Sequence, residues 1–291
     1  MSLGRVVIAT LVVGAAGCSA SHNNRQPTTA SAASPRVVPA PAGVVAGTAG
    51  SSGRLWVLAG TSTVKALYEI DQSSGTIDKT VPVGSGANSA AWSPAGLIAV
   101  GISGPGTGAV YLYDAGSGSE VASIPVAGPV GALSFGSPDS LYVLDGSAGA
   151  KGLSVIDTAS HQVTVAINLP AGSVGVGVDP AQNVAYTLDG SSVDRIPLSK
   201  GQASASFADG GDGSSLSVAP DGQYLYVLKG KTGAQNVAMI SVATESVVRV
   251  LPAAADSVSV GVSSDGTTLY DFVGSPSFGN IQAITLPPAT R

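Results

Sequence analysis

Short apolar runs recur along the chain at a fixed spacing from residue 36 onward. One set leads into a proline: SAAWSP ends at Pro94, GALSFGSP at Pro138, GVGVDP at Pro180 and SLSVAP at Pro220, and SVSVGVSS ends in the same place at Ser264. A second set starts at Leu55 (LWVL), Leu97 (LIAV), Leu141 (LYVL), Ala185 (AYTL), Leu225 (LYVL) and Leu269 (LYDF). A third closes on Asp71 (LYEID), Asp114 (VYLYD) and Asp157 (LSVID), with weaker copies DRIPLS, VAMISV and IQAITL. A fourth reads TVPV, ASIPV, VTVAINL, SASFA and VVRVL. Glycine, serine, asparagine and aspartate separate the runs, and no stretch holds a 3.6-residue period. Runs of this length, rich in Val, Ile, Leu and Tyr and bounded by turn residues, predict strands.

Four strands in about 43 residues, repeated along the chain, are the pattern of a β-propeller blade. The second run occurs six times, but the sixth copy ends after IQAITL without an outer strand. The segment RVVPAPAGVVAG supplies one: residues 36–42 match the fourth run and residues 43–47 the first. The expected fold is all-β, a six-bladed β-propeller over residues 36–291 whose N-terminal strand closes the last blade. Closure removes the open sheet edges that template aggregation. The innermost runs are rich in small residues, which lets six strands converge on an axis and leaves the pore wall almost uncharged.

The runs SPDSLYVLDGS…GLSVIDTASHQVTVAINLP and APDGQYLYVLKGK…NVAMISVATESVVRVLP resemble the YVTN family of β-propeller repeats. The Tyr-Val pair stands at Tyr142-Val143 and Tyr226-Val227, while Leu144-Asp145 and Leu228-Lys229 replace the Thr-Asn that follows it in the family. The resemblance covers most of residues 36–291 and is strongest over 130–270. It implies a propeller fold and a place in a bacterial or archaeal envelope; related propellers also occur in enzymes.

The first 18 residues read differently. Arg5 begins a short basic region, Val6 to Ala16 is apolar, and Ala15-Ala16-Gly17 are small. This is the pattern of a secretory signal, too short to span a bilayer. Its small-small-Cys ending resembles a bacterial lipobox, with Ala15 where leucine is commonest. The resemblance implies cleavage after residue 17, a diacylglyceryl group on Cys18 and N-acylation. The expected address is the extracytoplasmic face of the cell membrane, reached through that lipid anchor. Residues 18–35 then form the lipidated Cys and a small, polar linker, whose composition gives a reach of about 23 Å.

Composition narrows the chemistry. The chain has 291 residues, of which 11% are charged and 44% hydrophobic, with a net charge of −5. This excludes disorder throughout and argues against nucleic acid as a partner. Cys18 is the single cysteine, so disulfide and cysteine-based zinc frameworks are excluded. The two histidines lie in the linker (His22) and in a turn (His161), neither beside a Ser-Asp pair. No cofactor is expected. GISGPGTG at 101–108 joins two strands without a helix behind it, which does not make a phosphate cradle. Trp56 and Trp92, inside strand runs, read as core.

Carboxylates remain. Asp71, Asp114, Asp139, Asp157, Asp179, Asp221 and Asp265 recur at fixed repeat positions, which predicts turn formation. A second group is not demanded by the repeat. Asp145, Asp189, Asp194, Asp209, Asp212 and Asp256 fall in or beside loops that a propeller places on one face, near Lys151, Lys229 and Lys231. They form a candidate binding rim, for calcium or a cationic ligand; solvated Gly-Asp turns are the simpler account of them. The expected function is a monomeric cell-envelope lipoprotein and not an enzyme: its propeller binds or scaffolds a protein or glycan. The alternative is a metal-dependent hydrolase of the lactonase type, which would need acids, Asn and His facing the axis.

Overall fold

The computed structural model describes residues 34–147 and 150–286. The signal segment, Cys18 and the linker up to residue 33 lie outside the described residues. Strand β1 (Arg36–Ala40) comes first, and six sheets of four antiparallel strands follow. Blade 1 holds β2 (Val44–Ala49), β3 (Arg54–Gly60), β4 (Lys65–Asp71) and β5 (Ile77–Val83). Blade 2 holds β6 (Ala87–Ser93), β7 (Leu97–Gly104), β8 (Thr107–Asp114) and β9 (Glu120–Val126). Blade 3 holds β10 (Ala132–Ser137), β11 (Ser140–Ser147), β12 (Ala150–Asp157) and β13 (Gln162–Leu169). Blade 4 holds β14 (Gly175–Asp179), β15 (Val184–Leu188), β16 (Ser192–Pro197) and β17 (Ala205–Ala208). Blade 5 holds β18 (Gly213–Val218), β19 (Tyr224–Lys229), β20 (Asn236–Ser241) and β21 (Ser246–Pro252). Blade 6 holds β22 (Ser257–Val262), β23 (Thr268–Ser275) and β24 (Phe278–Thr285), and β1 is its fourth strand.

The closure expected from the sequence is therefore the one the fold uses. β1 runs antiparallel to β24 in five register pairs, from Arg36 opposite Ala283 to Ala40 opposite Gly279. The chain then crosses to the axis and starts blade 1.

Each blade buries both of its faces. Leu55 and Val57 of β3 pack with Tyr270 and Phe272 of blade 6, while Trp56 and Leu58 pack with Ile98 and Val100 of blade 2. Leu141 and Val143 of β11 likewise face blade 2, and Tyr142 and Leu144 face blade 4. Alternate residues of one strand thus enter different cores, so the second strand of a blade is an unbroken apolar run rather than an alternating one. Six such cores, one between each pair of neighbours, make the ring.

Outer strands contribute a single deep anchor each: Val38, Val81, Ile124, Ile167, Phe207 and Leu251. Pro39, Pro82, Pro125 and Pro252 stand in four of these strands, where the outer edge needs no donor. β17 has only 4 residues. β13 has neither charge nor proline and exposes Val163 and Val165.

One glycine records how tightly the ring closes. A Cβ on Gly47 would lie 2.1 Å from the Phe272 ring of blade 6, so no side chain fits between first and last blade.

Two faces result. One carries the turns from first to second and from third to fourth strand, and is called here the proline face. The opposite face carries the turns from second to third strand and the crossings between blades.

Two truncations test the closure. A chain beginning at Gly43 lacks β1 and the buried Val38, whose burial alone contributes about 2 kcal/mol. It should melt at least about 5 °C below a chain beginning at Ser34 and aggregate on heating. Calorimetry with light scattering reads both effects, and equal melting points would show that β1 does not hold the ring.

Candidate functional site

The repeating carboxylates of the proline face act as the sequence implies, with one exception. Asp71 Oδ1 accepts from the amides of Ser73 and Ser74 at 2.9 Å each, and Asp114 Oδ1 from Ser117 N at 2.7 Å. Asp157 Oδ1 accepts from Ala159 N at 3.0 Å and Ser160 N at 2.7 Å. Each rebuilds part of a turn with its own side chain. The last position of the third-to-fourth turn takes a left-handed backbone in every copy: Gly75, Gly118, His161, Gly201 and Glu245 all have positive φ. His161 thus sits in a turn slot. Asp179 is buried, with Oδ1 on two turn amides and Oδ2 on the Gln182 amide at 2.7 Å. Asp221 and Asp265 use Oδ1 alone, and both are exposed. Asp139 is the exception: it is exposed and its carboxylate takes no turn hydrogen bond among the described residues.

Hydrogen bonding stabilises the ionised form of these exposed groups. The Ser73 hydroxyl and the Ser74 amide hold the Asp71 carboxyl well below the usual carboxylate range. Ser117 does the same for Asp114, Ser160 for Asp157 and Ser263 for Asp265.

The six carboxylates expected around the other mouth divide into two groups. Asp145 is only 2% exposed; its Oδ2 accepts from Ala127 N at 3.1 Å and Ser154 Oγ at 2.9 Å, pinning the blade 2–blade 3 crossing to β12. Asp209 is fully buried, with Oδ1 on Gly211 N at 2.6 Å and Oδ2 without a partner. Asp194 is buried in β16 opposite Thr187 and Ser206. These three are internal, and Asp145 among them ties two elements together. Asp189 and Asp256 are half-buried and Asp212 is exposed, so these remain on the rim. Lys151 and Lys229 do not answer them as free charges: their ammonium groups donate to the carbonyls of Gly146 and Asp209. Lys231 lies in the neighbouring turn. Among the described residues no three His, Cys, Asp or Glu side chains gather to hold a metal ion.

Asp271 was not singled out by the sequence. It stands in β23 inside an apolar string and is fully buried. Its Oδ2 accepts from Ala254 N at 2.9 Å and Oδ1 has no partner. Burial pushes its carboxyl up, against the opposing bonds from Ser257 and Ala254. The one legible signal was a charge at a position where the other copies carry Val57, Ala99, Val143, Thr187 and Val227.

The axis itself is a channel in two parts. Toward the opposite face lies a narrow cavity of 140 Å³ lined by Gly, Ala, Ser, Val and Leu residues and the single amide Asn88, whose Nδ2 donates to Val130 O at 2.7 Å. Toward the proline face it opens into a funnel of 440 Å³. Trp92, Phe135, Val178 and Val218 line the funnel below a mouth formed by Pro94, Pro138, Pro180, Pro220 and Ser264, and its lining has no charged side chain. Trp56 is core, 2% exposed. Trp92, in an innermost strand, is half-buried: it packs against the edge of the blade 1–blade 2 core and also lines the funnel.

Comparisons agree with this architecture. No family model matches the chain, and no curated protein matches its sequence. Among solved structures, a chain of the Kuenenia stuttgartiensis hydrazine synthase is similar, with a TM-score of 0.60 and 17% identity over 86% of this chain and 76% of that one. A chain of the mitotic checkpoint complex is similar over 97% of this chain and 99% of its own, with a TM-score of 0.62 and 18% identity. At such identities the likeness is one of fold: the chain is a six-bladed β-propeller, an architecture compatible with a binding or scaffold module.

Two measurements check these assignments. Asp145→Ala leaves Ala127 N and Ser154 Oγ without their acceptor and should cost about 2 kcal/mol in urea unfolding, whereas Asp212→Asn at the exposed rim should stay within about 0.5 kcal/mol. Equal costs would remove the distinction between brace and rim. For Asp271, a raised folded pKa means its protonated form favours folding. That contribution is fully present below the unfolded value of about 3.9 and is lost as pH rises through the folded pKa. Asp271→Asn should therefore show a smaller fall in Tm than the parent between about pH 4 and 7. The turn carboxylates act oppositely and lose their contribution only below about pH 4. Parallel Tm profiles for the two proteins would refute the assignment.

Proposed function

We propose that the chain is a cell-envelope lipoprotein, anchored through Cys18, whose propeller is a binding module for a protein or glycan partner. The observation that carries the binding role is the contrast between a ring packed between every pair of blades and a wide, uncharged funnel of 440 Å³ at its axis. The six inter-blade cores hold the funnel walls in place whether or not it is filled, so a ligand meets a preformed surface. Loops at the two faces then supply specificity at low cost to the fold.

The hydroxyls at the axis, such as Ser134 and Ser217, have no general base among the lining residues to activate them. The funnel lining holds no His, Cys, Asp, Glu or Lys, and catalysis by proton transfer needs such a group within hydrogen-bond reach. Binding is therefore the reading that the funnel supports best.

The anchor is supported by the Ala-Ala-Gly-Cys ending of the leader and by the lack of any other cysteine. Cells fed a clickable palmitate analogue should label the parent protein and not Cys18→Ala. The variant should leave the membrane fraction or retain its leader. Membrane retention of a cleaved, unlabelled variant would overturn the anchor. For the module itself, crosslinking on intact envelopes should yield discrete adducts of the tethered protein that excess purified propeller competes away; a ladder insensitive to that competitor would count against a specific partner.

A further inference from the structure

The funnel does not stand alone. Beside it, sharing Ala219 and Pro220 in its wall, a cleft of 210 Å³ opens between blades 5 and 6. Asp221 and Asp265 both line this cleft, with Tyr224, Tyr226 and Met239. Each carboxylate spends Oδ1 on its own turn and leaves Oδ2 without a protein donor. Among the described residues no cationic side chain lines the cleft. Burial, then Asp221 and Tyr224, push the Tyr226 hydroxyl up to about 12, while Arg249 on β21 opposes them with the smallest effect. The cleft is thus a pocket of negative potential with aromatic walls. The proline face therefore presents two adjoining cavities of opposite character, one apolar and uncharged, the other acidic.

The negative field extends beyond these two cavities. Asp71, Asp114 and Asp157 line the outer turns of blades 1 to 3 on the same face. Three of that face's cations are already engaged, Arg36 through the carbonyl of Gln72. Arg54 pairs with Asp71 and Asp78, and Lys79 pairs with Glu69 and donates to the carbonyls of Ala115 and Gly116. Arg195 lines a separate cavity of this face with Gly222, Gln223, Tyr224 and Glu245, and Lys200 stands in the outer turn of blade 4.

We propose that the proline face binds a segment of a partner protein in which an apolar or aromatic residue adjoins a lysine or arginine. The apolar residue enters the axial funnel against Trp92 and Phe135, and the cation lies in the adjoining cleft between Asp221 and Asp265. The inference rests on the binding-module reading and gives it a partner chemistry and a face. Aromatic packing favours the first contact. Charge pairing, with the π-face of Tyr224 nearby, favours the second. A peptide is preferred over a small amphipathic amine because the same face carries further carboxylates, Asp114 and Asp157, on the outer turns of other blades. The field of the whole face would also speed the encounter of a basic segment.

The test uses the full-length chain in detergent and two fluorescein-labelled peptides, GSGKFKGSG and GSGEFEGSG, read by anisotropy. The lysine peptide should bind at least about tenfold tighter than the glutamate peptide at low salt, and the difference should shrink at high salt. The double variant Asp221→Asn with Asp265→Asn should weaken the lysine peptide at least about fivefold. With no tryptophan in either peptide, a second readout is internal. Unlabelled lysine peptide should shift the tryptophan emission of Trp56→Phe, in which Trp92 is the only tryptophan, so no folding-sensitive change at Trp92 is needed. Equal affinity for the two peptides, an unchanged affinity in the double variant, or an unmoved Trp92 emission would each overturn the proposal. So would an equal loss on Asp212→Asn at the opposite face. Any of these results leaves the binding-module reading to be judged by envelope crosslinking, so the two can fail separately.

Discussion

The structure depends on one constraint: no blade can bury its apolar surface alone. A four-stranded sheet whose second and third strands are apolar on both sides needs a neighbour on each side. Trp56 and Leu58 are useless to blade 1 without Ile98 and Val100, and Leu55 and Val57 without Tyr270 and Phe272. Stacking in a row would leave two greasy ends. Bending the row into a ring leaves none, and the small innermost residues permit the bend. Gly47 under the Phe272 ring marks where the last blade meets the first. The ring's stability is therefore collective, with β1 closing the sheet that completes it.

That constraint also explains the division of labour among carboxylates. The apolar strands fill the cores, so polar chemistry is displaced to turns and crossings. There, aspartates serve two purposes that composition cannot tell apart. Some shape turns from outside, as Asp71 and Asp157 do. Others, such as Asp145, brace a crossing from within. The functional capacity left over is what neither purpose consumes: the outer oxygens of Asp221 and Asp265, and an axial funnel that the convergence of six strands leaves empty.

The repeat was legible because its period is set by strand geometry. Proline and aspartate punctuate the turns, and the second run of each copy is apolar without alternation, as strands covered on both faces must be. The closure by residues 36–42 was legible because a missing fourth run has only one place to come from. Burial of individual polar residues was not. Asp145 and Asp189 both follow leucine and precede glycine, yet β11 continues to Ser147 while β15 stops at Leu188. One aspartate is therefore inside a strand against a neighbouring crossing, and the other starts a turn. Trp56 and Trp92 pose the same problem: both lie in apolar runs, but only a position counted outward from the axis separates core from funnel wall. Neither distinction is local, so a single sequence does not carry it.

The closing strand also fixes how the ring meets mechanical load. The chain enters β1 at Arg36, on the proline face, and β1 pairs with β24 along its length. Tension drawn through the N-terminal segment along the direction of β1 pulls the strand parallel to itself. The five register pairs with β24 then share the force at once, in shear, instead of parting one after another as in a peeled hairpin. Pulled sideways, the same strand would peel from Arg36 first, and Val38 would be its last strong hold. The ring is thus a clasp whose strength depends on the angle of pull.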